Sequence, residues 1–270
     1  MLETLLSPAR KAARFPPLAK ALSPVHSARR RLVERRRRHL VVKELGSAPL
    51  LGRFAREEDL PPGYGMTANE RVIEIPWLFA QRPAGRMLDA GSSLNHVEFL
   101  ERFQPKLDEL HIVTLAYEGV AHPRRGISYV YADLRSLPYA DDYFDVVASI
   151  STLEHVGMDN TSYGSSAARA ADPAAEADSA IRELARVTRR GGRLFFSVPY
   201  GQAEDHGGFR QLDSDDVERL IQAAAPQKAQ ILVYRHSRDG WRLSDLEAAR
   251  LSRYRTGFAA EAVACVQMTK

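Results

Sequence analysis

The chain has 270 residues, 44% of them apolar, which suits one large domain with an appendage, and no apolar run approaches the roughly 18 residues that a bilayer span needs. Cys265 is the only cysteine, which excludes an intramolecular disulfide, and Arg10, Lys11 and Arg14 interrupt any signal-peptide core, so a cytoplasmic location is expected. The formal net charge of +4 hides an asymmetry: residues 1–44 carry 12 Lys/Arg against 3 Asp/Glu, and the remainder carries 26 against 31, so the basic character lies in the first segment.

In chain order, Pro8, Pro16, Pro17 and Pro24 limit the first stretch to short helical pieces. Ala28 to Leu45 reads as one helix, with eight Arg and His side chains between Arg29 and His39 and Leu32, Val33, Leu40, Val41 and Leu45 on a partly apolar face. Residues 1–50 are therefore expected as a basic, partly helical arm, and 51–270 as the body. The arm either packs on the body or meets phosphates through residues 28–43, those of anionic lipid head groups or of RNA. Lipid is favoured over RNA, because no aromatic residues interleave the arginines to stack on bases.

After the connection ending in Pro61-Pro62-Gly63-Tyr64-Gly65, Thr67 or Asn69 is placed to cap a helix through Val72, Ile73, Ile75, Trp77 and Leu78, bent or begun at Pro76. Then come a short buried strand from Arg86 to Ala90, a turn at Gly91 and a helix over Leu94–Phe103. Further apolar runs at 110–116, 127–132, 144–151, 193–198, 230–236 and 262–268 read as strands. A helix is expected over Ala180–Arg190, stopped by Gly191-Gly192, and another from an Asp213 or Ser214 cap to Ala225, with 241–255 mostly helical. Strands alternating with helices imply a doubly wound, mostly parallel sheet with ligands at the carboxyl ends of its strands.

Leu88-Asp89-Ala90-Gly91, Asp133-Leu134-Arg135-Ser136-Leu137-Pro138-Tyr139, Asp142-Tyr143-Phe144-Asp145-Val146-Val147, Leu153-Glu154-His155-Val156 and Glu183–Gly192 stand in one order and spacing. Together they resemble the class I S-adenosylmethionine-dependent methyltransferases, most strongly between Arg86 and Gly201. The resemblance implies a Rossmann-like seven-stranded sheet with the last strand antiparallel, and S-adenosylmethionine as cofactor. It places Asp89, Gly91, Ser93, Asn95, Tyr117, Glu118, Asp133, Leu134 and Ser151 around that cofactor, with Asp133 reaching the adenine amino group. The segment Tyr64–Trp77 would close over the cofactor, and the long loop 157–178 would hang over the acceptor as a lid. Two places depart from the family pattern. Ser93 and Asn95 stand where later glycines are usual, and Ala116 stands where an acid usually takes the ribose hydroxyls, with Glu118 as its substitute.

An alcohol acceptor must lose a proton as it is methylated, which requires a base near the strand ends. His155 is the first candidate, and Glu154, Asp159 and His206 follow. The competing reading of His155 is a structural histidine bonded to backbone. Asp159, Asn160, Glu204, Asp205 and His206 are the residues that could hold a divalent cation, although no paired Cys/His spacing assigns a metal. The leading expectation is methyl transfer to a hydroxyl of a small molecule or glycan, sugar or lipid-linked, in polysaccharide biosynthesis, with the enzyme peripheral at the membrane. The alternatives are an RNA methyltransferase using the arm and a methyltransferase fold that binds without catalysis.

Overall fold

The computed structural model describes residues 38–161, 168–255 and 259–270. The chain divides into two compact units, 1–40 and 41–270. Of the first, only residues 38–40 are described, and they are helical, so most of the expected arm helix lies outside the described residues. The second unit opens with helical backbone to residue 45 and with α1 (Ala48–Ala55), capped by the Ser47 side chain on Leu50 N–H.

A sheet of eight strands forms the centre of this unit, in the order β3-β2-β1-β4-β5-β12-β8-β9. These strands are β1 (Gly85–Ala90), β2 (Leu107–Thr114), β3 (Ile127–Tyr131), β4 (Phe144–Ile150), β5 (Thr188–Pro199), β8 (Lys228–Ser237), β9 (Gly240–Ser244) and β12 (Ala262–Thr269). The first five pair in parallel, and β12 runs antiparallel to both β5 and β8, as expected for the last strand. Four short strand pieces form two pairs, β6 (Glu204–Asp205) with β7 (Arg210–Gln211), and β10 (Tyr254–Arg255) with β11 (Ala259–Ala260).

Successive strand residues face opposite sides, and β5 uses both. Phe195 meets the edge of Trp77 from α2 (Arg71–Ala80), ring centroids 5.6 Å apart. Its neighbours Leu194 and Phe196 join Ile181 and Leu184 of α4 (Pro173–Val187) and Val217 and Leu220 of α5 (Ser214–Ala224) in the core of the other face. On the α2 side, Phe79 also meets Phe103 of α3 (Val97–Phe103), at 5.0 Å. A strand buried on both sides reads as a continuous apolar run, which is why β1, β4 and β5 are conspicuous in the sequence.

Five expectations are corrected. The sheet has eight strands rather than seven, because Gly240–Ser244 forms β9 in a stretch expected to be helical. The two-residue turn Arg238-Asp239, followed by Gly240 at φ 92°, is tight enough to pair Ser237 with Gly240, and Trp241 is fully buried. The helix before β1 starts at Arg71, and neither Thr67 nor Asn69 caps it; Glu70 holds the cap position without a side-chain bond. The helix after Gly91 starts at Val97 rather than Leu94, because Ser92–His96 stays in turns. α4 spans Pro173–Val187, capped by Asp172, so the end of the expected lid is already helical, while 162–167 lies outside the described residues. Gly191 and Gly192 then lie inside β5 rather than stopping a helix.

Candidate active site

The strand order reverses between β1 and β4, and the crevice at their carboxyl ends gathers most of the candidate residues. Asp89, one residue from the end of β1, is fully buried; its Oδ2 accepts from Leu94 N–H at 2.8 Å, and its Oδ1 has no partner among the described residues. Burial pushes its carboxyl up to about 7, against the Leu94 hydrogen bond and with help from the nearby Glu118 charge. Gly91 adopts φ 117°, and a Cβ there would lie 2.1 Å from Thr152 Oγ1, so the turn after β1 fits against the loop after β4 only as glycine.

The two residues that replace family glycines are engaged within the protein. Ser93 Oγ donates to Ile150 O at 2.6 Å, Asn95 Nδ2 donates to Val120 O, and Asn95 Oδ1 accepts from Tyr129 OH. β2 ends at Thr114, earlier than expected, yet the chain folds Glu118 back over it. Its carboxylate accepts from Ser92 Oγ at 2.9 Å and Thr114 Oγ1 at 3.0 Å, which sets an exposed acid at the tips of β1 and β2. Ser92, at φ 63°, escapes a reading based on glycine spacing alone.

Tyr117 is exposed and meets Tyr131 edge-on at 6.1 Å, while Leu134 is buried. Asp133 accepts from Arg135 through both carboxylate oxygens, and Arg135 continues to Glu176; the hydrogen bond from Arg135 holds the Asp133 carboxyl below its usual range. Ser151, at φ 42°, donates its hydroxyl to Glu74 Oε1 at 2.5 Å. Glu74, on α2, is a residue the sequence reading missed. It is fully buried, accepts also from Ser197 Oγ at 2.7 Å, and pairs with Arg71 at 3.0 Å. Its signal was a lone acid inside the apolar run Val72–Ala80.

His155 lies on a short turn of helix after β4 (Leu153–His155), beside the buried Glu154. Its Nδ1 lies 2.7 Å from Gly208 O. A carbonyl only accepts, so Nδ1 carries the proton and the neutral ring keeps its lone pair on Nε2. Burial lowers the His155 pKa below the usual histidine value. His206 stacks on Phe209 at 4.6 Å, and His155 meets the same ring at 5.7 Å, so the two histidines share one aromatic cluster.

The cation-binding grouping does not assemble. Asp205 pairs with Arg169, Asp159 accepts from Thr161, and Asn160 donates to His155 O and Met158 O. Among the described residues no set of three or more His, Cys, Asp or Glu is placed to hold a metal ion. Cys265 is buried in β12. No helix among the described residues is long and apolar enough to cross a membrane.

Residues 109–196 match a family model described as a methyltransferase domain. No curated protein matches the chain. Among solved structures, the chain is similar to a Thermotoga maritima protein described as a possible histamine N-methyltransferase, at 15% identity over 86% of this chain and 98% of that one, with a TM-score of 0.46. It is also similar to the N-methyltransferase NodS of Bradyrhizobium japonicum in complex with S-adenosyl-L-homocysteine, at 14% identity over 85% and 96%, TM-score 0.46. A third is the Burkholderia thailandensis 1,6-didemethyltoxoflavin-N1-methyltransferase, at 16% identity over 100% and 94%, TM-score 0.46. The strand order above is that of a Rossmann-like fold, and its segment 109–196 matches the methyltransferase-domain family model. S-adenosylmethionine is the cofactor that the resemblance implies.

The residues present fit that cofactor. The buried Asp89 Oδ1 lacks a donor, and the amino-acid end of the cofactor carries an ammonium group. The exposed Glu118 carboxylate at the strand tips would offer an acceptor to the cofactor's ribose hydroxyls.

Proposed function

We propose that the chain methylates a hydroxyl of a small molecule or glycan, with His155 as the base. S-adenosylmethionine supplies an electrophilic methyl on a sulfonium when bound. The protein's task is then to align the acceptor oxygen and take its proton. The observation that carries this reading is the contact from His155 Nδ1 to Gly208 O, which leaves Nε2 as the acceptor nitrogen of a ring kept neutral by burial. Asp89 and Glu118 hold the cofactor end of the crevice, with Asp133 and Leu134 at its adenine side. Ser93 and Asn95 support this reading indirectly, by tying the Gly91 turn to Ile150 and Val120. Glu154 and His206 flank the acceptor side.

The test is transfer of labelled methyl from S-adenosylmethionine across panels of glycans, glycolipids, small alcohols and RNA. The reading expects label in an ether of a sugar or small alcohol, lost in His155→Ala. Label in RNA instead, or none despite cofactor binding by calorimetry, would replace it with one of the alternatives. We further propose that the basic arm brings the enzyme to an anionic membrane surface, on the strength of its charge surplus.

A further inference from the structure

The acceptor side of the crevice holds more carboxyl groups than its cation satisfies. Arg71, at the start of α2, pairs with Glu74, whose other oxygen is taken by Ser151 and Ser197. That leaves Glu70 Oε2 and Glu154 Oε2 shielded from solvent without a hydrogen-bond partner among the described residues. Glu154 is 4% exposed. Burial first, then the neighbouring carboxylates, pushes the Glu70 carboxyl up to about 7 and raises that of Glu154 well above its ordinary value. A solvent-shielded carboxyl oxygen without a partner is costly, and few native groups are left so without a role.

Aromatic rings stand next to these acids. Burial raises the Tyr254 hydroxyl pKa, and the charges of Glu70 and Glu154 raise it further, so the phenol lies close to both. The Tyr254 ring lies 4.6 Å from Phe209, which touches His155 and stacks on His206. Ring faces and unpartnered carboxyls attract the same kind of group, an organic cation. A neutral acceptor would bring no charge to match the two unpartnered Oε2 atoms.

We propose that this cup recognises an ammonium group on the methyl acceptor, with Glu154 and Glu70 supplying the carboxylates and Phe209 and Tyr254 the ring faces. The proposal rests on the methyltransferase reading and narrows it: the acceptor is an amino alcohol or amino sugar rather than a neutral or acidic one. The ammonium pairs with the acids while the hydroxyl faces His155.

The experiment compares amines with neutral counterparts by ligand-observed NMR, on the full chain with and without S-adenosylhomocysteine. The probe pairs are glucosamine against glucose, ethanolamine against ethylene glycol, and benzylamine against benzyl alcohol. The expected result is a preference of roughly ten-fold or more for the amine in at least one pair, kept on the S-adenosylhomocysteine-loaded protein and erased in Glu154→Gln and in Glu70→Gln. Equal binding in all three pairs overturns the proposal. So does a preference that persists in both variants, or one that vanishes on loading, which would assign the cup to the cofactor's own cation. Calorimetric binding of S-adenosylhomocysteine, measured in parallel, tests the methyltransferase reading separately, so failure of one is distinguishable from failure of the other.

Discussion

Glu74 Oε1 accepts a hydrogen bond from Ser151 Oγ at 2.5 Å, joining α2 to the end of β4 across 77 residues of sequence. The same oxygen accepts from Ser197 at the end of β5, so one carboxylate holds a helix to two neighbouring strands. Ser151 needs that hold, because it sits at φ 42°, a conformation unfavourable for a residue with a Cβ. Glu74→Ala should destabilise the protein by about 2–4 kcal/mol, since it strands two hydroxyls and a guanidinium that remains partly in solvent. Glu74→Gln, which keeps an acceptor at Oε1, should lose less. Urea unfolding of the three proteins measures both, and equal stability of Glu74→Ala and wild type would remove Glu74 from the framework.

The Gly91 turn supplies a second prediction. Gly91→Ala meets both a positive φ and the Thr152 side chain, with Thr152 Oγ1 2.1 Å from the new Cβ. The backbone strain alone costs about 1–3 kcal/mol, and the contact adds to it. Thr152→Gly should recover part of the loss in the double variant, because it removes the contact and leaves the strain. A double variant no more stable than Gly91→Ala would show that Thr152 is not what the missing Cβ makes room for.

These two sites show how far the sequence could be read. The order of β1, β4 and β5 was legible because strands buried on both faces are unbroken apolar runs, and Asp213 at the start of α5 was legible because capping is local chemistry. β9 was not, since Trp241-Arg242-Leu243-Ser244 carries too short an alternation to compete with the polar stretch after it. Asp239-Gly240, where the turn meets β9, was its one local sign. In the site, the places of Asp89 near the end of β1 and of His155 just after β4 follow from the strand order, whereas Glu118 reaches the strand tips only because the chain folds back over Thr114. The engagements of Ser93 with Ile150 and of Asp133 with Arg135 depend on tertiary contacts and backbone direction, which spacing does not encode. Glu74 needed the opposite inference, that an acid amid buried neighbours must have partners from elsewhere in the chain.

Asp89 links the site to pH. Its folded carboxyl titrates near 7, well above its ordinary value, so between about pH 4 and 7 the folded state keeps a proton that the unfolded chain releases. Its contribution to stability is fully present below pH 4 and is lost as pH rises through 7. Thermal unfolding of ligand-free wild type and Asp89→Asn should therefore show the wild type losing stability relative to the variant as pH rises from 5 to 7.5. Taking the difference isolates Asp89 from His155, whose depressed pKa acts in the opposite direction below neutral pH. A pH-independent difference would mean that Asp89 titrates normally.

His155 should govern turnover and leave cofactor affinity alone. His155→Ala should lower kcat by about 100-fold or more, the usual contribution of a positioned base, while S-adenosylhomocysteine binding stays within about two-fold. Because burial lowers its pKa, the neutral ring persists to lower pH than usual. The acid limb of the wild-type rate profile should therefore fall below the ordinary histidine value and be absent in the variant. An acid limb retained in His155→Ala would move the base to Glu154 or His206.

The arm supplies the last prediction. Residues 1–37 hold ten of the chain's 38 Lys and Arg, against two acids, Glu3 and Glu34. Each such charge near an anionic bilayer contributes about 1 kcal/mol, so even half of them would hold the protein there at moderate salt. Screening shortens this attraction steeply as ionic strength rises. Full-length protein should therefore sediment with phosphatidylserine-containing vesicles at low salt and be released by about 0.5 M salt. Deleting residues 1–37 should abolish sedimentation and preserve S-adenosylhomocysteine binding, because the deletion stops short of Val41 and Leu45, which are buried in the second unit. Full-length protein that ignores the vesicles and shifts RNA would exchange the lipid reading for the RNA one.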